Sequence, residues 1–196
     1  HACCHNPTGV DLSEAQWASV AETMLARGLV PFLDIAYQGF GDSIEADGIA
    51  VRLFAQSGMP LLVASSFSKS FSLYGERVGS LNVVAGTSDE AARVLSQIKR
   101  LVRSNYSNPP THGSKIVATV LADAELRTLW VQDLWQMRDR IKSMRKLLVE
   151  KIHARVPGAD YSYITQQRGM FSYSGLTKEQ VVRMREEFAV YAIESG

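Results

Sequence analysis

The chain has 196 residues, of which 46% are hydrophobic and 21% are charged, a composition typical of a folded globular protein. Its formal net charge is +1 and its basic residues are scattered, which argues against nucleic acid as a partner. No apolar run approaches the roughly 18 residues that a membrane span needs. We therefore expect no membrane contact and a cytoplasmic location.

The two cysteines, Cys3 and Cys4, are adjacent, and His1 and His5 stand beside them. A tetrahedral metal site needs separated ligand pairs that can converge on one ion. We therefore predict no metal site and interpret the cysteines as the small-residue end of a buried strand. On this interpretation the chain begins within a strand and stops after another, at 190–193, so both ends look cut.

The first half of the chain predicts alternating helices and strands. Ser13 to Gln16 is a capping box, and the helix that it begins ends at Gly28. A further helix is predicted around 50–56. Strands are predicted over three short apolar runs, at 29–33, 61–64 and 80–85. This order indicates an α/β domain with a mostly parallel sheet.

The second half predicts a second domain. Ser88 is expected to cap an amphipathic helix, and apolar positions from about 124 to 152 predict a helix of roughly 30 residues, long enough to connect two domains. After it come a strand-like segment at 169–173, a capping box from Thr177 to Gln180, and the run at 190–193. We predict a large domain over 1–137 and an incomplete α+β domain over 138–196.

Polar clusters follow the predicted strands, where open α/β sheets bind their ligands. They are 5–9, 34–39, and 65–70 together with 74–79. Each alone has a simpler explanation, because Asn-Pro-Thr-Gly is good turn chemistry and a lysine in a serine-rich loop is usually solvated. Their joint occurrence favours a functional site.

Six segments in order resemble the class I aminotransferases, specifically the aspartate and aromatic amino acid group. They are HNPTG, LDIAYQGF, SSFSKSFSLYGERVG, RSNYSNPP, RGMFSYSGL and REEFAVYAIESG. The resemblance covers essentially the whole chain. It implies the type I fold of pyridoxal phosphate (PLP) dependent transferases, with part of the large domain, a connecting helix and part of the small domain. It also implies transfer of an amino group between aspartate, glutamate or an aromatic L-amino acid and a 2-oxo acid.

The resemblance assigns catalytic roles to Lys69, Asp34 and Tyr37. Lys69 matches the lysine that holds the cofactor as an imine and then carries protons as a general acid and base. Asp34 matches the carboxylate that keeps the ring nitrogen protonated. Asn6 and Tyr37 match the pair that binds the ring hydroxyl oxygen, and the peptide before Pro7 is cis in the family.

The remaining assignments concern the phosphate and the substrate. Ser66, Ser68 and Arg77 match the residues that bind the phosphate. Arg103 matches the arginine that reaches from the neighbouring subunit to the distal carboxylate of the substrate, which implies a homodimer; a solvated arginine at a helix end is the alternative. Phe171 matches an aromatic of the substrate pocket, and it can equally belong to the core.

The family's arginine for the substrate α-carboxylate would follow Gly196, and the family's N-terminal half is absent. We therefore expect the isolated fragment to bind PLP weakly and to be inactive, while the activity belongs to a full-length parent. Two alternatives stay open: a PLP-dependent lyase or decarboxylase of the same fold, and a catalytically silent truncated domain. The sequence does not rank aspartate against aromatic substrates.

Overall fold

A computed structural model of the protein describes residues 1–194. Ser195 and Gly196, where the resemblance to the family ends, lie outside the described residues. The elements in order are α1 (Glu14–Ala26), β1 (Phe32–Ile35), α2 (Ile44–Asp47), α3 (Ile49–Gln56), β2 (Leu61–Ser66), a short 3-10 helix (Tyr74–Glu76), β3 (Gly79–Val84), α4 (Ser88–Asn105), α5 (His112–Ala122), α6 (Ala124–Arg155), α7 (Tyr163–Gln166) and α8 (Lys178–Phe188).

The three strands form one mixed sheet in the order β1-β2-β3. β1 pairs with β2 in parallel, with Leu33 opposite Val63, and both side chains are buried. β3 pairs with β2 antiparallel, with Gly79 opposite Ser66. The α/β architecture is as predicted, but only one of the two strand pairs is parallel. The connection over 67–78 holds a 3-10 helix and no α-helix, which is the element that usually joins parallel strands.

Helices α1 and α3 cover the buried face of the sheet. Ser13 caps α1, and its hydroxyl and the Gln16 side chain form both bonds of the predicted capping box. Trp17 of α1 packs edge-on against Phe54 of α3, with ring centroids 6.2 Å apart. Phe54 is fully buried in a core shared with Leu33, so the apolar sides of helix and sheet meet as the periodicity predicts.

Helix α6 is the predicted long helix, with 32 residues. Asp123 caps its first turn, accepting hydrogen bonds from the backbone N–H groups of Glu125 and Leu126 at 2.9 Å each. Leu134 anchors the helix in the core. The indole Nε1 of Trp130 donates to the backbone oxygen of Ser70, at 2.7 Å. The domain boundary predicted at 137 falls within α6, and the division into two domains stays a prediction.

Several predicted boundaries are wrong. The first strand begins at Phe32 rather than at 29, and Asp34 lies inside it rather than after it. The cap of α4 is Thr87, whose hydroxyl accepts from the backbone N–H of Glu90, and not Ser88. Helices α2, α5 and α7 were not predicted.

Three predicted strand segments are not strands. The Cys3-Cys4 segment is buried but irregular, and one backbone hydrogen bond, from Ala2 to the oxygen of Asp34, ties it to β1. The segment at 169–173 is irregular, and an arginine side chain, described below, binds two of its carbonyl groups. The segment at 190–193 is exposed and forms no strand. Within residues 1–194, no helix combines the length and apolarity required for a membrane crossing.

Candidate active site

The amine of Lys69 lies over the ring of Tyr37. Lys69 is in the loop after β2, and its Nζ is 4.6 Å from the centroid of the Tyr37 ring. Tyr37 follows β1 directly and is buried, with 6% of its surface exposed. Because β1 and β2 are parallel neighbours, their C-terminal ends bring these two loops together, as the sequence predicts. A cation at this distance from an aromatic face is attracted by it.

Asn6 approaches Tyr37 from the N-terminal segment. Its Nδ2 donates a hydrogen bond to the Tyr37 hydroxyl at 3.4 Å, and the Asn6-Pro7 peptide is cis, as the resemblance implies. The carboxylate of Asp11 organises this turn by accepting hydrogen bonds from the backbone N–H groups of Cys4, at 2.7 Å, and His5, at 3.0 Å. The turn therefore presents Asn6 to the loop that follows β1.

Phe171 closes the group around Tyr37. Its ring meets that of Tyr37 edge to face, with centroids 5.5 Å apart and an interplanar angle of 89°. Asn6, Lys69 and Phe171 come from three separate segments of the chain, and all three contact one tyrosine. Four of the residues singled out from the sequence thus form a single cluster.

Ser66, Ser68 and Arg77 lie near the end of the β2–β3 pair. The Ser66 hydroxyl accepts a hydrogen bond from the backbone N–H of Ser68 at 3.2 Å, and Ser68 is buried. Arg77 precedes β3 in the left-handed conformation, with φ of 51°, and donates to the backbone oxygen of Tyr74 at 2.9 Å. The backbone bond from Phe67 to Val78 joins the two loops. Hydroxyl and guanidinium donors are therefore held near the loop that carries Lys69.

Asp34 and Arg103 are more isolated. Asp34 is exposed on β1 opposite Ala64, on the face of the sheet that faces away from Leu33. Arg103 is exposed in the last turn of α4, where its guanidinium donates to the hydroxyl of Ser107. Both lie on regular elements, and neither contacts the cluster around Tyr37 through a hydrogen bond or ion pair within residues 1–194.

Comparison with known proteins decides the family. The model of the family described as aminotransferase class I and II matches residues 1–195. The chain belongs to this family.

Individual relatives agree with this assignment. An aspartate aminotransferase of Pseudomonas aeruginosa is 61% identical and an aromatic-amino-acid aminotransferase of Escherichia coli is 53% identical, each over the whole chain and 49% of the relative. The solved aromatic-amino-acid aminotransferase of Burkholderia pseudomallei, covalently bound to pyridoxal phosphate, superposes with a TM-score of 0.98 at 66% identity, covering 100% of this chain and 49% of that one. The chain spans about half the length of the relatives that it matches. The family and fold class predicted from the sequence are confirmed.

An ionic network that the sequence did not reveal supports the site of this aminotransferase-family chain. Asp47 of α2 is buried, and its carboxylate accepts hydrogen bonds from the backbone N–H groups of Gly39 at 2.8 Å, Gly41 at 2.9 Å and Asp42 at 3.0 Å. This carboxylate therefore fixes the loop that follows Tyr37. The burial of Asp47 could not be predicted from the sequence, because an aspartate in a short polar segment is ordinarily exposed to solvent.

Arg168 links this loop to two other segments. Its Nη2 forms an ion pair with Asp42 and lies 3.5 Å from Oδ1 of Asp47, and its Nε lies 3.6 Å from Oδ2 of Asp11. Lys142 of α6 also pairs with Asp42, at 2.8 Å. The hydrogen bond from Lys142, then the nearby Arg168, hold the pKa of Asp42 below its ordinary value. One arginine thus joins the segments that carry Asn6, Tyr37 and Phe171.

Cys3, Cys4 and Asp47 place potential ligand atoms within 4.8 Å of one another, and all three residues are buried. The hydrogen bond with Cys3 and then burial raise the pKa of the Cys4 thiol far above its ordinary value. The carboxylate of Asp47 already accepts three backbone hydrogen bonds. The chemistry of this cluster favours a packed core over a bound ion.

Proposed function

We propose that the protein carrying this chain is a PLP-dependent aminotransferase. It would move an amino group between an L-amino acid, either aspartate or glutamate or an aromatic one, and a 2-oxo acid. The observation that carries the proposal is the position of the Lys69 amine, 4.6 Å from the centre of the Tyr37 ring, in a cluster that also contains Asn6 and Phe171.

The donor set around Lys69 fits PLP. A primary amine is needed to bind the cofactor's aldehyde, and Lys69 supplies it. Ser66, Ser68 and Arg77 would bind the phosphate, since hydroxyl groups and a planar guanidinium match its oxygen atoms. This donor set matches the chemistry of the cofactor and adds to the support from the position of Lys69.

Two further groups would set the electronic state of the ring. Asn6 and Tyr37 would donate to the ring oxygen, and the carboxylate of Asp34 would pair with the ring nitrogen and keep its proton in place. When bound, PLP withdraws electrons from the substrate's α-carbon and so makes its C–H bond acidic. The Nζ atom of Lys69 would then accept this proton and return it to a neighbouring carbon, as a general base and acid.

The substrate assignment depends on Arg103 and Phe171. The guanidinium of Arg103 would bind a side-chain carboxylate, in which case the active protein is a homodimer and the arginine serves the partner's site. Phe171, in contact with Tyr37, would form an apolar wall that suits an aromatic substrate. The named relatives include both aspartate and aromatic-amino-acid enzymes. We also propose a cytoplasmic enzyme in which 1–137 is the C-terminal part of a large domain that carries the cofactor, and 138–196 is an incomplete small domain.

The proposal can be tested with the longest natural chain that contains this sequence. After incubation with PLP and reduction with borohydride, peptide mapping should find the label on Lys69. With glutamate and a 2-oxo acid, Lys69→Ala should lower turnover by at least about a hundredfold, because general acid–base groups contribute roughly 10²–10⁴. Lys115→Ala, at an exposed lysine of α5, is the control and should behave as the unmodified protein.

Two results would contradict the proposal. One is a borohydride label at any residue other than Lys69. The other is release of carbon dioxide from the amino acid without formation of a new amino acid, which would instead indicate the decarboxylase alternative.

A further inference from the structure

Arg145 of α6 is a buried arginine, and within residues 1–194 the hydrogen bonds of its side chain all go to one irregular segment. It is 6% exposed. Its Nη1 donates to the backbone oxygen of Gln167 at 2.8 Å, and its Nη2 donates to those of Gly169 at 2.7 Å and Phe171 at 2.5 Å. Its Nε donates to the hydroxyl of Ser172 at 2.7 Å. We refer to residues 167–172 as the clamped loop.

This arrangement is unusual because the cation has no carboxylate partner. Among residues 1–194, no acidic side chain lies within ion-pair distance of the Arg145 guanidinium. Burying a cation costs free energy unless polar groups compensate for the lost water, and here the dipoles of three carbonyl groups do so. The conformation of the clamped loop is therefore coupled to the presence of this guanidinium.

The clamped loop touches the candidate site at two points. The backbone N–H of Arg168 donates to the oxygen of Gly9 at 2.7 Å, which joins the loop to the turn that carries Asn6. Phe171, at the other end of the loop, packs edge-on against Tyr37. Of the three carbonyl groups that Arg145 binds, that of Gln167 comes just before the first contact point. That of Gly169 lies between the two contact points, and the third belongs to Phe171 itself. A change in the clamp would therefore move Phe171.

We infer that Arg145 is a positioning residue, which fixes the clamped loop so that Phe171 forms a wall of the substrate pocket against Tyr37. The inference rests on the proposed function, since it assigns Phe171 to the substrate side of the same site. Arg145 itself touches neither cofactor nor substrate. Lysine cannot replace it, because one ammonium group lacks the planar fork that reaches four acceptors at once.

The first test measures the loop and needs no activity. In the longest natural chain that contains this sequence, Arg145→Lys should speed amide hydrogen exchange in peptides covering 167–173 and 4–11, and leave α1 and α3 unchanged. Arg140→Lys is the matched control, since Arg140 is an exposed arginine of the same helix. Equal exchange in Arg145→Lys and the unmodified protein would overturn the inference.

The second test measures catalysis. Arg145→Lys should raise KM for the amino acid substrate about tenfold and change kcat less than about threefold, because a displaced pocket wall weakens ground-state and transition-state binding together. PLP content should stay the same. Faster exchange with unchanged KM would show a structural role alone and would overturn the positioning role. Absence of transaminase activity in the unmodified protein would instead contradict the proposed function, and hydrogen exchange would still decide whether Arg145 holds the loop.

A milder variant covers the case in which Arg145→Lys does not fold. Ser172→Ala removes only the acceptor of Nε and keeps the guanidinium and its three carbonyl bonds. We expect exchange in 167–173 and KM to rise in the same direction, by a smaller factor. A Ser172→Ala protein with the exchange and KM of the unmodified protein would count against the clamp.

Discussion

The ring of Phe171 meets that of Tyr37 edge to face at 5.5 Å, although the two residues lie far apart in sequence. Tyr37 is also contacted by the amine of Lys69 and by the side chain of Asn6. Asn6 contacts the Tyr37 hydroxyl, whereas Lys69 and Phe171 contact its ring. Removal of the Tyr37 hydroxyl oxygen therefore tests the proposed hydrogen bond to the cofactor without removing the ring that packs against Phe171.

Replacement of Tyr37 by phenylalanine should keep both ring contacts and remove the hydroxyl group. We expect the dissociation constant for PLP to rise roughly fivefold, because one hydrogen bond contributes about 1 kcal/mol. Titration of the apoprotein with PLP measures this. Tyr106→Phe, at an exposed tyrosine, is the control. Unchanged PLP affinity in Tyr37→Phe would remove the hydroxyl from the proposed cofactor site.

Replacement of Asp47 by alanine should destabilise the fold. Its buried carboxylate accepts three backbone hydrogen bonds, from Gly39, Gly41 and Asp42, and alanine would leave these N–H groups without a partner. We expect the free energy of unfolding in urea to fall by about 3–5 kcal/mol. Asp47→Asn keeps one acceptor oxygen and should cost less. Asp133→Ala, at an exposed aspartate of α6, should cost little, and an equal loss in both alanine variants would contradict this account.

The elements predicted most accurately are those whose signals are local. Both capping boxes, at Ser13 and at Thr177, form as predicted, because all their hydrogen bonds lie within four residues of sequence. The direction of β3 was not predicted, because an apolar run of six residues is the same in a parallel and in an antiparallel strand. The pairing with β2 gives the antiparallel direction, and the connection before β3 contains only a short 3-10 helix, Tyr74–Glu76.

Long-range polar contacts could not be predicted. The segment 169–173 was predicted to be strand-like, but its carbonyl groups at Gly169 and Phe171 bind Arg145, more than twenty residues earlier. The pair of Arg168 and Asp47 spans 121 residues. For the site, the motifs indicated Asn6, Tyr37, Lys69 and Phe171, which the fold brings together. Their assigned roles stay predictions, as do those of the more isolated Asp34 and Arg103.

Asp42 should make stability depend on pH in the acid range. Its hydrogen bond with Lys142 and the nearby Arg168 lower its pKa below the ordinary value of 3.8. A carboxyl group whose pKa is lower in the folded state stabilises the fold when the pH is above the ordinary pKa. This contribution is lost as the pH falls through the folded-state pKa. The loss therefore occurs below pH 3.8. Because the Asp42 side chain is 54% exposed, the contribution is below about 1 kcal/mol.

The measurement is the difference in unfolding free energy between the unmodified protein and Asp42→Asn. This difference should be present at about pH 6 and should shrink as pH falls below 3.8, as the carboxylate becomes protonated first in the unfolded state and then in the folded state. It should also shrink in about 1 M salt, which screens exposed charges. A difference that is constant over this pH range would show that the charge of Asp42 contributes nothing.

Gly9 and Gly28 allow backbone strain to be separated from close packing. Both have positive φ, of 69° and 61°, so alanine is strained at either position. A Cβ added at Gly28 meets nothing within 4 Å, whereas one at Gly9 would lie 2.7 Å from the backbone oxygen of Phe171 and 2.9 Å from Cβ of Gln167. Gly28→Ala should therefore cost only the strain, about 1 kcal/mol.

Gly9→Ala should cost that strain and, in addition, about 1–3 kcal/mol for the contact with the clamped loop, as overpacked sites do. Because the loop must move to admit the methyl group, Gly9→Ala should also raise KM for the amino acid, whereas Gly28→Ala should not. Urea unfolding and steady-state kinetics of the two variants measure both effects. Equal losses of stability with equal KM would mean that the turn at Gly9 and the loop at Phe171 are not in tight contact, and that substrate binding does not depend on their packing.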